Sequence, residues 1–267
     1  MSIKENGSPV TAALPRTSDE KEYVAGLEKG LAIIEAFGIA NRALTLSEAA
    51  EITGHSRASA RRSLLTLQRL GYVEWDGKLF KLAPRVLRLG HAYVTSTSLA
   101  KIVQPTLEAI SERTHESSSL AVLDGTDVVF VARAATRRSL ANGLGLGSRL
   151  PAHSAATGRV LLAALPEAEA ERRLKRMARR QMTPHTRTEV PVLMALLEEV
   201  RHQGYAISNE ELELGVRSLA VPIHDAQGVA IASMSVVSAT SRRTVDNMIN
   251  HLLPELESAR RMLGSLL

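Results

Sequence analysis

Apolar residues follow a helical period through the first part of the chain and then switch to a strand period. Over residues 24–37, Leu27, Leu31, Ile34 and Phe37 fall along one side, and Gly38 closes the segment. Thr45 and Glu48 precede Ala49, Ala50 and Ile52 in the Thr-x-x-Glu pattern of a capped helix start. Gly54 occupies the left-handed position that ends such a helix. Ser56 caps a further helix with Ala60, Leu64 and Leu67 on its apolar side, and Gly71 closes it. Residues 72–75 and 78–81 then flank Asp76-Gly77, which predicts a hairpin with both turn residues at positive φ. Trp75 is read as wing packing rather than a base wedge.

The pattern continues to the C-terminus. Pro84 suits a first helical position, and residues 85–94 read as a linker helix interrupted over 95–98. Ser98 is expected to cap the next helix, with Leu99, Ile102, Val103, Leu107 and Ile110 buried and a kink or restart at Pro105. Strands are predicted at 119–123 and 128–132 around a turn at 124–127, and again at 218–223 and 229–237 around 225–228. Between them lie helices beginning at Arg159 and running over 167–180 and 190–203, the last ended by Gly204. A final helix is predicted over 244–266, kinked at Pro254. An antiparallel sheet carrying helices makes this part α+β. The resulting division is a disordered tail (1–22), a winged helix-turn-helix (23–83), a linker helix (84–98) and an effector-binding domain (99–267).

Two helices meeting at a glycine corner, followed by a hairpin, place a helix in the DNA major groove. Charge agrees. Residues 54–90 hold eight Lys or Arg against two acids, whereas the whole chain has a net charge of +5. The basic excess therefore sits on the reading head. Arg57, Ser59 and Arg61 are predicted to face base edges, Arg62 to hold phosphate and Lys78 to touch the DNA backbone from the wing tip. Thr45 and Ser56 complete the DNA-facing set.

Composition removes several classes. With no Cys there is no disulfide, thiolate metal site or Cys nucleophile, which suits a reducing cytoplasm. No apolar run approaches the ~20 residues of a membrane span, so no membrane partner is expected. Aromatics at 3% argue against a single-strand stacking platform. The reading head is not repeated, so a second one must come from another chain. No phosphate loop or paired-His metal motif is present, and no cofactor is implied. Glu210, Glu211 and Glu213 could coordinate a cation, but a solvated loop is the favoured reading. An enzyme with a winged-helix appendage, and an architectural DNA binder, stand as rivals to a ligand-responsive transcription factor.

The segments over 146–163 and 204–222 resemble the IclR family of bacterial transcription regulators. The first carries Leu146-Gly147-Ser148-Arg149-Leu150-Pro151-Ala152 and then Gly158-Arg159; the second carries Gly204-Tyr205-Ala206 and Ser218-Leu219-Ala220-Val221-Pro222. Tyr23-Val24-Ala25-Gly26-Leu27-Glu28-Lys29-Gly30-Leu31, where the match begins, and Leu146-Gly147-Ser148-Arg149-Leu150-Pro151-Ala152 are similar to the branch regulating protocatechuate, 4-hydroxybenzoate and β-ketoadipate catabolism. The resemblance implies a GAF-like effector domain, a homodimer or dimer of dimers, and a palindromic operator on double-stranded DNA. It also implies effector contacts at Leu150, Ala156, Thr157, Ser208, Ser218, Ser235 and Val237. The residues themselves add more. Gly145, Gly147 and Gly158 are expected to let backbone approach a ligand, and the helix start at Arg159 to offer N–H groups to a small organic acid. Arg133, ending a strand, is a candidate carboxylate partner, and His153 a candidate donor.

Overall fold

Gly54, at φ 67°, turns the chain between two helices that could not otherwise meet so closely in sequence. The computed structural model describes residues 23–40, 42–136, 144–264 and 266–267; the tail expected over 1–22 lies outside them. The chain divides into two compact units between Ala92 and Tyr93.

The first unit contains α1 (Ala25–Ala40), α2 (Leu46–Thr53), α3 (Arg57–Arg69), β1 (Val73–Trp75) and β2 (Phe80–Leu82). A 3-10 turn, Pro84–Val86, leads into α4 (Leu87–Ser96), which crosses the division. Ile33, Ala36 and Phe37 of α1 pack with Ala49, Ala60, Leu64 and Leu67 under the wing. This differs from the expected side. Leu27 and Leu31 are 61% and 47% exposed, because the helix turns its Ile33–Phe37 edge inward. Gly38 does not end α1, which runs on to Ala40. Leu44 exchanges backbone hydrogen bonds with Phe80, adding a third stretch to the wing.

The wing turn also differs. Trp75 pairs with Phe80, so the loop is four residues long. The Asp76 carboxylate accepts the amides of Lys78 and Leu79 at 2.9 and 2.8 Å, and Gly77 alone in that loop has positive φ. An Asp that captures amides ahead of it stabilises this turn in place of the two-residue one.

The second unit opens with α5 (Ser98–Thr114), which passes through Pro105 without restarting. Its N-cap is Thr97, not Ser98, because α4 continues through Thr95 and Ser96. There follow β3 (Ser117–Asp124), β4 (Asp127–Ala134), β5 (Arg149–Pro151), α6 (Ala156–Ala163), α7 (Glu167–Arg176) and α8 (Val190–Gln203). The unit ends with β6 (Ala206–Asn209), β7 (Val216–His224), β8 (Ala230–Ala239), α9 (Val245–His251) and α10 (Leu253–Leu263). The strands form one antiparallel sheet in the order β5-β4-β3-β8-β7-β6.

Alternation along the strands sends Leu120, Leu219, Val221, Met234 and Val236 to the face covered by α5 and α10. Ala121, Phe130 and Ala220 point to the other face, covered by α6. The single expected C-terminal helix is two, since Pro254 cannot donate to the preceding turn. Among the described residues no helix is long and apolar enough to cross a membrane.

Candidate nucleic-acid interface and effector site

The reading head is built on α3. Ser56 caps it by accepting the Ser59 amide at 3.3 Å. Arg57, Ala58, Arg61 and Arg62 are exposed, and none of these arginines has an ion-pair partner among the described residues. Ser59 is a correction. It is only 7% exposed and lines a groove toward α1, so it is withdrawn from base edges. The residue beside it on the exposed arc is Ala58, which sequence reading passed over. Arg62 borders the same groove as Ser59 and Thr66. The groove has a volume of about 700 Å³, and Leu27, Leu31, Ile34, Leu70 and Leu89 supply apolar walls.

The basic excess is smaller than a count suggests. Lys81 pairs with Glu74 at 3.0 Å, and Arg85 lies 5.4 Å over the Tyr72 ring. Lys78 is exposed at the wing loop, and Trp75 stacks on Phe80 with centroids 5.9 Å apart. Thr45 is spent on its cap: its hydroxyl donates to Glu48 Oε2 at 2.9 Å and accepts the Glu48 amide at 3.3 Å. Arg42, unforeseen, closes the cap with a 2.6 Å ion pair to Glu48. The Arg42 guanidinium and the Thr45 donors hold the Glu48 carboxyl down at about 2.

In the second unit the strand register assembles the expected effector residues on the α6 face. One row across the sheet runs Arg133, Ser119, Ser235, Ala220; the next runs Ser117, Val237, Ser218, Ser208. Ala156 and Thr157 lie in the first turn of α6, the helix that covers this face, and Leu150 sits half-buried on β5. Arg133 donates to the Leu144 carbonyl, and burial lowers its pKa from the usual value. Ser208 donates to the Ser154 carbonyl at 2.7 Å. Ser119, Thr157 and Ser235 are 2–4% exposed, yet their hydroxyls make no hydrogen bond among the described residues.

Two expectations change here. Helix α6 begins at Ala156, three residues before Arg159, so Thr157 and Gly158 belong to its first turn. Gly158 does not admit a ligand: a Cβ there would overlap the Ala152 backbone, so it lets helix and loop pack. Gly145 and Gly147 face open space.

Glu211 is not in a solvated loop. It is 1% exposed and takes Arg159 in a bidentate pair at 2.6 and 2.5 Å. His153 is 1% exposed, and neither ring nitrogen closes a hydrogen bond of normal geometry. Burial and the neighbouring Arg159 push its pKa below the usual histidine value. The signal for the Arg159–Glu211 pair was the isolated Arg inside an apolar helix, which needs a buried partner. Among the described residues no group of three His, Cys, Asp or Glu is placed to hold a metal.

A helix that frees its cations to solvent, joined in one chain to an α+β unit with unbonded hydroxyls on one sheet face, is the make-up of a ligand-responsive DNA-binding regulator. Known proteins agree. Residues 26–77 match the IclR helix-turn-helix domain, and residues 91–263 match the bacterial transcriptional regulator IclR C-terminal domain. The chain belongs to the IclR family of transcriptional regulators. It is 41% identical over 251 residues to the Pca operon regulatory protein of Acinetobacter baylyi, covering 92% of this chain and 90% of that one. It is 39% identical to the p-hydroxybenzoate hydroxylase transcriptional activator of the same organism, covering 95% and 97%. The inducer-binding domain of Acinetobacter PobR, solved as a double mutant with 3-hydroxybenzoic acid, is 35% identical. It superposes with a TM-score of 0.60 over 63% of this chain and 98% of its own. These relatives are named as regulators of transcription, not enzymes, and they fall in the aromatic-acid catabolism branch.

Proposed function

We propose that the chain reads a palindromic operator as a homodimer or dimer of dimers and responds to a small aromatic or dicarboxylic acid of a catabolic pathway. Arg57 and Arg61 reach base edges, Arg62 and Lys78 hold phosphate, and the N-terminus of α3 adds its dipole. One head with few free cations binds weakly, and two on a dimer bind by effective concentration. The groove walled by Leu27, Leu31 and Leu89 is where a second copy docks, since these side chains are too apolar for solvent in such a cluster. The chain works where the chromosome is, in the cytoplasm.

The observation that carries the effector reading is the row of Arg133, Ser119 and Ser235 on the face that α6 covers, with the unbonded Thr157 in the first turn of that helix. A guanidinium on that face matches a carboxylate bidentately, and Thr157 with the α6 N–H groups adds donors. Leu150, Ala156, Val237 and Ser218 complete the walls. Titration calorimetry with protocatechuate, 4-hydroxybenzoate, 3-hydroxybenzoate and β-ketoadipate tests this. At least one acid binds the wild type, and Thr157→Val weakens it without altering operator affinity in the absence of acid. Absence of heat with every acid sinks the reading.

A further inference from the structure

Ser119 on β3 stands directly opposite Ser235 on β8, and Arg133 on β4 stands opposite Ser119 on its other side. Residues facing each other across an antiparallel pair hold their Cβ atoms about 5 Å apart. Both serines are buried, at 3% and 2% exposure, and both lie on the α6 face of the sheet. Neither hydroxyl makes a hydrogen bond among the described residues, not even to the other. Serines close by on these strands behave differently. Ser118 donates to the Leu107 carbonyl at 2.7 Å, Ser233 to the Val221 carbonyl at 3.3 Å and Ser238 to the Glu116 carboxylate at 2.8 Å. The two oxygens are not among the sealed polar atoms of the described residues, so a facing pair left open by the protein is free to take a polar group brought from outside. Beyond Ser235 the row turns apolar at Ala220, which confines the polar demand to the Arg133 side.

We infer that Ser119 and Ser235 are the specificity-determining pair of the effector site, gripping one hydroxyl of a hydroxylated aromatic acid. This rests on the acid-binding reading above, with the carboxylate at Arg133. One oxygen held over the pair donates to one serine and accepts from the other, which satisfies both at once. Strands lie about 4.8 Å apart. The midpoint between β3 and β8 is therefore about 7 Å from β4, close to the span of a benzene ring with a carboxylate at one end and a hydroxyl at the other. The short side chains at Ser119, Ser235 and Ala220 leave the ring its room. An acid lacking the hydroxyl fits the same space but covers two hydroxyls without pairing them, so the pair discriminates by hydrogen bonding rather than by shape.

Titration calorimetry on the full chain with 4-hydroxybenzoate, 3-hydroxybenzoate and benzoate tests the pair. The wild type binds one hydroxybenzoate at least about tenfold more tightly than benzoate. Ser119→Ala and Ser235→Ala each remove most of that preference, weakening the hydroxybenzoate and not the benzoate. Ser119→Cys, which keeps the volume, does the same. Because both serines hold one group, the double variant loses little more than either single one. Benzoate binding as tightly as both hydroxybenzoates overturns the pair while leaving the acid site standing. So do equal losses for all acids, or additive losses in the double variant. Failure of all three acids to bind the wild type removes the acid-binding reading itself, and the pair with it.

Discussion

Arg159 and Glu211 form a closed fork inside the second unit, the two terminal guanidinium nitrogens each matched to one carboxylate oxygen at 2.6 and 2.5 Å. Both side chains are nearly sealed, at 3% and 1% exposure. Arg159 belongs to α6 and Glu211 to the β6–β7 connection. The Nε of Arg159 donates to the His153 carbonyl at 2.9 Å, so the loop before α6 is held by the helix that follows it. Arg187 adds an ion pair to Glu211 at 3.0 Å and donates its own amide at 3.2 Å. The connection reaches this position through Glu210 at φ 59°, and Thr186 holds the Glu211 carbonyl at 2.5 Å. The fork thus fixes the first turn of α6, where Ala156 and Thr157 sit, against the sheet beneath.

Opening the fork from one side leaves a buried charge alone. Glu211→Ala is expected to destabilise the second unit by about 3–5 kcal/mol, and Glu211→Leu with Arg159→Met by less than either single change. Urea unfolding of the full chain, followed by tryptophan-independent far-UV signal, measures both. A double variant as unstable as the two single losses combined contradicts the pairing.

The three glycines of the 145–158 segment separate cleanly. At Gly158 an added methyl meets the Ala152 backbone, which has no flexible end to move aside. Gly158→Ala is expected to shift α6 off its loop and cost several-fold in acid affinity as well as about 1–3 kcal/mol of stability. Gly145 has open space around it, so Gly145→Ala is expected to be neutral. Thermal melting and acid titration of the two variants decide. Comparable effects at both positions would mean that Gly158 is not a packing glycine.

Local chemistry written in few residues was legible. The Thr45–Glu48 box, the Gly54 corner and the Ala60–Leu64–Leu67 stripe depend on neighbours within a turn or two, and they stand where expected. Phase was harder. The apolar side of α1 was set one step off, since Leu27, Leu31, Ile33, Ile34 and Phe37 fill more of the helix surface than one core contact needs. Ser59 was misplaced for the same reason: a small polar residue carries no signal of its own rotation. Pairings distant in sequence were harder: Arg159 in an apolar helix signals a buried partner without naming Glu211, and Ser119 meets Ser235 only through strand register. The resemblance supplied effector positions; the register shows how most of them share a face.

The Glu48 carboxyl makes the helix cap sensitive to acid. Its folded pKa, about 2, lies below the ordinary value of 4.5. A carboxylate depressed on folding contributes stability that is fully present above its unfolded value and is lost as pH falls toward the folded one. The first unit is therefore expected to weaken between about pH 4.5 and pH 2 through this group. Glu48→Gln should lower stability at neutral pH and flatten that part of the profile. Both are read from Trp75 fluorescence during unfolding across the pH range. An unchanged slope in the variant shows that other groups set the acid response.

Burial splits α3 into residues that meet DNA and residues that do not. Arg61 is exposed and without an ion-pair partner among the described residues, whereas Ser59 is turned toward α1. On an operator obtained by selection from random duplexes, Arg61→Ala is expected to cost about 1–3 kcal/mol and to relax preference at one position of each half-site. Arg62→Ala should weaken specific and random duplexes alike and reduce the salt dependence by about one counterion per head. Ser59→Ala should leave base preference unchanged. Fluorescence anisotropy at several salt concentrations separates the three. A loss of base preference with Ser59→Ala, or an equal loss on random DNA with Arg61→Ala, would reverse the assignment of the helix face.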